Sequence, residues 1–244
     1  MTITTTQGLR EAVWAALGTV IDPELDEPIT DLGFVRSWDV SDNGDVDVHL
    51  RLPTAFCAPN FAYLMCSDAQ EALMGLLGVG RVRVELDDHH DSEKINAGLA
   101  AMAGYRGTFG HEALEDLDEL RSTFQRKAYV AALERACGQA LRERELEPEA
   151  LFDLQLSDLP EGKEKAGLLR RRADIGLSND PGLPVMVDED GSPVPRDRIP
   201  VKLRFARTVR VSVDGNAHFC RGLLRTRYPD SGDDQTPREY TGEI

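Results

Sequence analysis

Cys57 is the residue of this chain best placed to do chemistry. It lies in Leu52-Pro53-Thr54-Ala55-Phe56-Cys57-Ala58-Pro59, directly after a run in which Val46, Val48, Leu50 and Leu52 alternate with Asp47, His49 and Arg51. That period of two predicts a strand over 46–52 with one buried face. Pro59 suits the first turn of a helix, where a missing N–H costs no hydrogen bond. A thiol in the short loop between them faces the positive end of the helix, which favours thiolate over thiol. Thiolate sulfur is both a nucleophile and a ligand for soft metal ions. Thr54 adds a hydroxyl to the same loop.

Carboxylates and imidazoles form two further groups. Asp22-Pro23-Glu24, with Asp26 and Glu27, is either a solvated acidic turn or a segment that faces Cys57 across a small site. Asp87-Asp88-His89-His90-Asp91-Ser92-Glu93 holds two imidazoles among carboxylates, a donor set for Zn²⁺ or Fe²⁺. Neighbouring side chains in an extended segment point to opposite sides, so His89 and His90 share a metal only if the loop bends. Otherwise the stretch is a polar loop that caps a helix. His218 and Cys220 stand at i and i+2 and fall on one face of an expected strand. Two ligands fall short of the three or four that a stable site takes.

The elements that must position these groups follow from the hydrophobic pattern. Leu9, Val13, Ala16 and Leu17 predict a helix over 7–17. Strands are expected over 32–40 and 46–52, joined by a hairpin at Asp42-Asn43-Gly44-Asp45. A helix is expected over 60–77 and a third strand over 81–86. Residues 1–88 therefore read as helix, strand, strand, helix, strand: an α+β domain of about 80 residues, enough for a core of its own. A Gly-rich connector follows, then a long helix over 111–146 that a domain of this size cannot cover. It needs the C-terminal part, a second copy or a client against it. Residues 89–176 thus form a connector and helical region. Alternation at Val201, Leu203 and Phe205, and again at Val209, Val211 and Val213, predicts a small basic β module over 177–228. Residues 229–244 are polar and expected to be disordered.

Charge narrows the function classes. The net charge of −15 is uneven: residues 1–100 carry 6 basic and 17 acidic side chains, residues 196–228 carry 9 basic and 2 acidic. The acidic bulk argues against nucleic-acid binding. The basic segment suits the chain's own acidic part or an acidic protein partner. No apolar run approaches the ~18 residues of a membrane span. The first residues lack the basic and apolar regions of a secretory signal, so a cytoplasmic protein is expected. Cys57, Cys66, Cys137 and Cys220 are widely spaced, with no CxxC pair, and read as free thiols.

Val20-Ile21-Asp22-Pro23-Glu24-Leu25, then Pro28-Ile29-Thr30-Asp31-Leu32-Gly33-Phe34-Val35, then Leu52-Pro53-Thr54 with Cys57 and Pro59, resemble the iron–sulfur cluster assembly factor family that includes SufT and PaaD. The resemblance covers about residues 8–88. It differs in the loop, where Phe56 rather than Gly precedes Cys57 and Ala58 separates it from Pro59. It implies a non-catalytic accessory factor for metalloprotein maturation, with an exposed cysteine at position 57 and a functional motif at Asp22, Pro23, Glu24 and Thr54. The implied cargo is iron or an iron–sulfur cluster, held transiently. The implied partners are the assembly machinery and a client metalloenzyme, with PaaD-like relatives suggesting a multicomponent oxygenase or cluster-bearing reductase; a homodimer is a further arrangement open to the chain. Two other readings stand beside it. One is an interaction scaffold or chaperone subunit without metal. The other, ranked lowest for want of an HExxH-type arrangement, is a metal-dependent hydrolase built on His89, His90, Asp91 and His218.

Overall fold

The structure is a computed structural model that describes residues 6–113 and 117–231. The chain groups into two compact units, Met1–Leu117 with Asn216–Ile244, and Asp118–Gly215.

The first unit is the α+β domain. Helix α1 (Thr6–Leu17) is followed by a two-residue pairing of β1 (Ile21–Asp22) with β2 (Glu27–Pro28). Strands β3 (Val35–Val40) and β4 (Val46–Arg51) form an antiparallel hairpin. Helix α2 (Pro59–Met74) crosses over to β5 (Val82–Asp87), which pairs parallel with β4. The sheet order is β3-β4-β5. In the parallel register Val46, Val48 and Leu50 stand opposite Val82, Val84 and Leu86. All but Val82 are buried, in one cluster with Leu9, Val13 and Leu17 of α1 and Met65, Cys66, Ala69 and Leu73 of α2. The outer face carries His49, whose Nδ1 lies 3.0 Å from the Asp87 carboxylate, itself bound to Arg36 at 2.8 Å. The hydrogen bond to Asp87 raises the His49 pKa above the ordinary imidazole value. The hairpin turns on Gly44 at φ +80°, where an added Cβ would stand 2.6 Å from the Gly78 carbonyl oxygen.

The expected Gly-rich connector contains α3 (Ser92–Ala100) and α4 (Gly104–Phe109). Gly98 lets these helices approach so closely that a Cβ there would collide with the Thr108 side chain. Tyr63 of α2 meets Tyr105 and Phe109 of α4 with ring centres 5.4 and 5.9 Å apart.

The second unit is built on α5 (Leu117–Arg144), the expected long helix, which runs 28 residues. Residues 114–116 of the range expected for it lie outside the described residues. Tyr129, Leu133, Ala136, Cys137 and Ala140 bury their side chains with Leu151, Leu156, Leu168, Val185 and Met186. The Tyr129 hydroxyl donates to the Val187 carbonyl at 2.9 Å. Helix α6 (Lys163–Asp174) buries Arg172, whose Nε and Nη2 donate to the Ser178 carbonyl at 3.1 and 2.7 Å.

The β module expected over 177–228 is corrected here. Residues Ile199–Arg227 form one 29-residue helix, α7. Between 177 and 198 the β pairing among the described residues is confined to two isolated bridges, Gln155 with Pro184 and Val187 with Pro193, before a 3-10 turn at Arg196–Arg198. The inward positions of α7 are Ile199, Ala206, Val213, Ala217 and Leu224. Their spacing of seven or four residues is helical. Two of the five are alanines, whereas Val201, Phe205 and Val211, which suggested the alternation, point outward. Pro200 sits in the first turn of the helix, where proline is tolerated. Ile199–Gly215 of α7 counts with the second unit and Asn216–Arg227 with the first. Of the expected disordered tail, residues 229–231 are described, and Ser231 is buried; residues 232–244 lie outside the described residues.

Candidate functional site

Cys57 is placed by the end of β4 and the start of α2. The chain leaves the sheet at Arg51, buries Leu52, and turns through Thr54–Cys57 before Pro59 opens the helix. The Thr54 hydroxyl holds the turn twice. Its Oγ1 accepts from the Phe56 N–H at 3.2 Å and lies 3.4 Å from the Cys57 Sγ. Cys57, expected as an exposed thiol, packs against the apolar core of the first unit and is half-buried, with part of its surface open. Phe56 beside it is 80 % exposed.

His89 and His90 are separated in role. His89 is buried, and its Nε2–H donates to the Cys57 carbonyl oxygen at 2.8 Å. Its Nδ1 accepts from the Asp91 N–H at 3.1 Å. A carbonyl can only accept, so the Nε2–H tautomer is fixed. Both ring nitrogens are occupied by backbone, which leaves no lone pair for a metal. His90 is exposed, its N–H bonds the Ala55 carbonyl at 2.9 Å, and its ring lies 5.8 Å from that of Phe56. His89 through its ring and His90 through its backbone N–H each hold the Cys57 loop.

Asp22 is 6 % exposed. Its Oδ1 accepts from the backbone N–H groups of Glu24 and Leu25 at 2.9 and 2.8 Å, which fixes the Asp22-Pro23-Glu24 turn. Burial outweighs those two bonds and pushes its pKa up to about 6. Glu24 is exposed and accepts from Asn216 Nδ2 at 3.3 Å.

That last contact brings in a segment the sequence pattern places elsewhere. On α7, Asn216 binds Glu24, Arg221 binds Glu27 through Nη1 at 3.2 Å, and Arg227 Nη1 donates to the Leu52 carbonyl at 3.1 Å. Tyr228 donates to Asp88 Oδ2 at 3.0 Å, and Asp230 pairs with buried Arg51 at 3.3 Å. Cys220 lies within this span, half-buried against the same core as Cys57. Burial first, then the charges of Asp22, Cys57 and Glu24, push its pKa up to about 11. His218 is exposed; on a helix, residues two apart lie about 200° around the axis, so the expected His218–Cys220 face does not exist. Cys66 and Cys137 are fully buried, and burial pushes each thiol up to about 12, so both serve the core. Among the described residues no group of three or more His, Cys, Asp and Glu side chains is arranged to hold a metal ion. No helix among them is long and apolar enough to cross a membrane.

The comparisons with known proteins fall on the same domain. A family described as iron–sulfur cluster assembly protein matches residues 10–86. Proteins named iron–sulfur cluster carrier protein from Mycobacterium tuberculosis and Mycobacterium leprae are 38 % and 36 % identical over 86 residues, which is 35 % of this chain and 22 % of theirs. The chain thus spans about a fifth of the length of those carriers. A protein of Methanocaldococcus jannaschii, named only as uncharacterized, is 36 % identical over 87 residues, 36 % of this chain and 90 % of its own. No solved structure matches.

Proposed function

The chain belongs to the iron–sulfur cluster assembly protein family through residues 10–86, and from that premise we propose that it is a non-catalytic carrier. It holds iron or an iron–sulfur cluster at Cys57 for a short time and passes it to a client metalloenzyme in the cytoplasm. The observation that carries this reading is the half-buried Cys57 thiol at the start of α2, held by Thr54 within the family domain. Thiolate sulfur is the usual protein ligand of iron–sulfur clusters. A cluster takes four such ligands, so a chain that offers fewer needs a second protein to complete the set. Incomplete ligation suits cargo that must leave. Asp22, Pro23 and Glu24 shape the acidic turn, and His89 and Thr54 hold the cysteine loop.

The test is anaerobic loading with ferrous iron and sulfide, followed by measurement of both elements on the recovered protein. Cys57→Ser is expected to lose most of the bound iron and to stop transfer to an apo-ferredoxin acceptor. Equal iron and equal transfer by that variant would remove the thiol from the mechanism.

A second reading is favoured by one observation, the lack of any three-ligand metal group among the described residues. In it the chain is a chaperone subunit of a multicomponent oxygenase, and exposed Phe56 contacts the client. Anaerobically purified protein free of iron and zinc, together with Phe56→Ala losing client binding, would favour this reading over the carrier.

A further inference from the structure

We propose that Cys220 is the second thiol of the cargo site, so that Cys57 and Cys220 together present a two-sulfur half-site for a thiophilic iron cargo. The inference rests on the carrier reading and extends it to a residue outside the family domain.

The geometry of α7 places Cys220. Ala217 and Leu224 are each 1 % exposed and belong to the apolar core of the first unit. Cys220 stands three residues after one and four before the other, which puts all three on one helix face. That face is tied down at both ends. Asn216 and Arg221 hold it to Glu24, within the turn that Asp22 begins, and to Glu27, at its far end. Arg227 holds it to the Leu52 carbonyl, five residues before Cys57. Cys220 is therefore fixed between the acidic turn and the strand end that carries the cysteine loop. Cys57 and Cys220 pack on the same core, and both are half-buried, unlike Cys66 and Cys137.

Two sulfurs change what the site can do. When ferrous iron binds, each thiol gives up a proton and supplies an electron pair; no electron is transferred, and two protons appear in solution. Two ligands hold the ion more firmly than one and leave open the positions that a donor or receiving protein must fill. Such a half-site is incomplete by design, which agrees with the lack, among the described residues, of any third ligand arranged beside it.

Cobalt(II) is the probe, because its sulfur-to-metal charge-transfer absorption grows with the number of thiolates bound. The full chain should show the absorption of two thiolates. Cys57→Ser and Cys220→Ser should each show about half of it, and the double variant none. Full absorption in Cys220→Ser with loss in Cys57→Ser overturns the second thiol and leaves the carrier reading intact. No thiolate absorption in the unaltered chain, or full absorption in both single variants, overturns both. The unaltered chain gives an independent check that needs no refolding. Ferrous iron should protect Cys57 and Cys220 together from iodoacetamide, read by peptide mass. Protection of Cys57 alone overturns the inference.

Discussion

The Nε2–H of His89 donates to the carbonyl oxygen of Cys57 at 2.8 Å, and this bond ties the end of β5 to the loop at the end of β4. A histidine that looks like a metal ligand in the sequence is thus a brace for the loop that carries Cys57. A brace and a ligand respond differently to substitution.

His89→Ala leaves the Cys57 carbonyl without its partner. The expected cost is about 1–3 kcal/mol, the usual penalty for a buried acceptor left unpaired. Iron or cobalt binding should persist in the variant with weakened affinity, because the sulfur remains. His90→Ala should change binding little, since its ring is exposed and lies against exposed Phe56. Urea unfolding alongside metal titration checks both. Complete loss of binding in both variants would make the imidazoles ligands after all.

Asp22 gives the domain a pH dependence of definite sign. Burial lifts its folded pKa to about 6, above the ordinary carboxylate value of 3.8. A group raised in this way contributes stability that is fully present below about pH 4 and is lost as pH rises through about 6. A rise of this size corresponds to roughly 3 kcal/mol. Asp22→Asn keeps an oxygen for the Glu24 and Leu25 N–H groups without the buried charge. The variant should be more stable than the parent at about pH 7.5 by roughly 2–3 kcal/mol, with the difference vanishing near pH 4. Paired urea melts across that range read the difference directly.

Gly44 is the sharpest backbone constraint in the sheet. Its φ of +80° disfavours any side chain, and a Cβ would meet the Gly78 carbonyl at 2.6 Å. The same close approach lets the Gly80 N–H reach the Gly44 carbonyl at 2.7 Å. Gly44→Ala is expected to destabilise the first unit by about 2 kcal/mol or more, because strain and clash add. Thermal melting of the full chain measures it.

Much of this fold is legible in the residues. Strict alternation from Val46 to Leu52, the Asn43-Gly44 turn and Pro59 locate β4, the hairpin and the start of α2, because each signal is local. The acidic turn and Cys57 are visible as chemistry for the same reason. The part that misleads is 199–227. Its inward face uses Ala206 and Ala217, which carry little hydrophobic signal, while Val201, Phe205 and Val211 advertise a period of two on the outside. The placement of Cys220 is hidden for a different reason. It depends on contacts such as Arg227 with Leu52, 175 residues apart in the chain, which no local pattern encodes.

Arg227 gives the last test, because it joins the C-terminal segment to the candidate site. Its guanidinium donates to the carbonyls of Leu52 and Asp88, and its charge lies 5.1 Å from the Tyr228 ring centre. Arg227→Ala removes both hydrogen bonds and leaves Tyr228 with Asp88 as a weaker tie. The expected loss is about 1–3 kcal/mol, since hydrogen bonds from a charged donor are worth more than neutral ones. Loosening should be local: backbone amides of the Asn216–Arg227 part of α7 exchange faster, and Cys220 alkylates faster, while buried Cys66 keeps its slow rate. Unchanged exchange and unchanged Cys220 labelling would mean that Ala217 and Leu224 hold the helix without help from the arginine, and that access to the thiol pair is set by packing rather than by this contact.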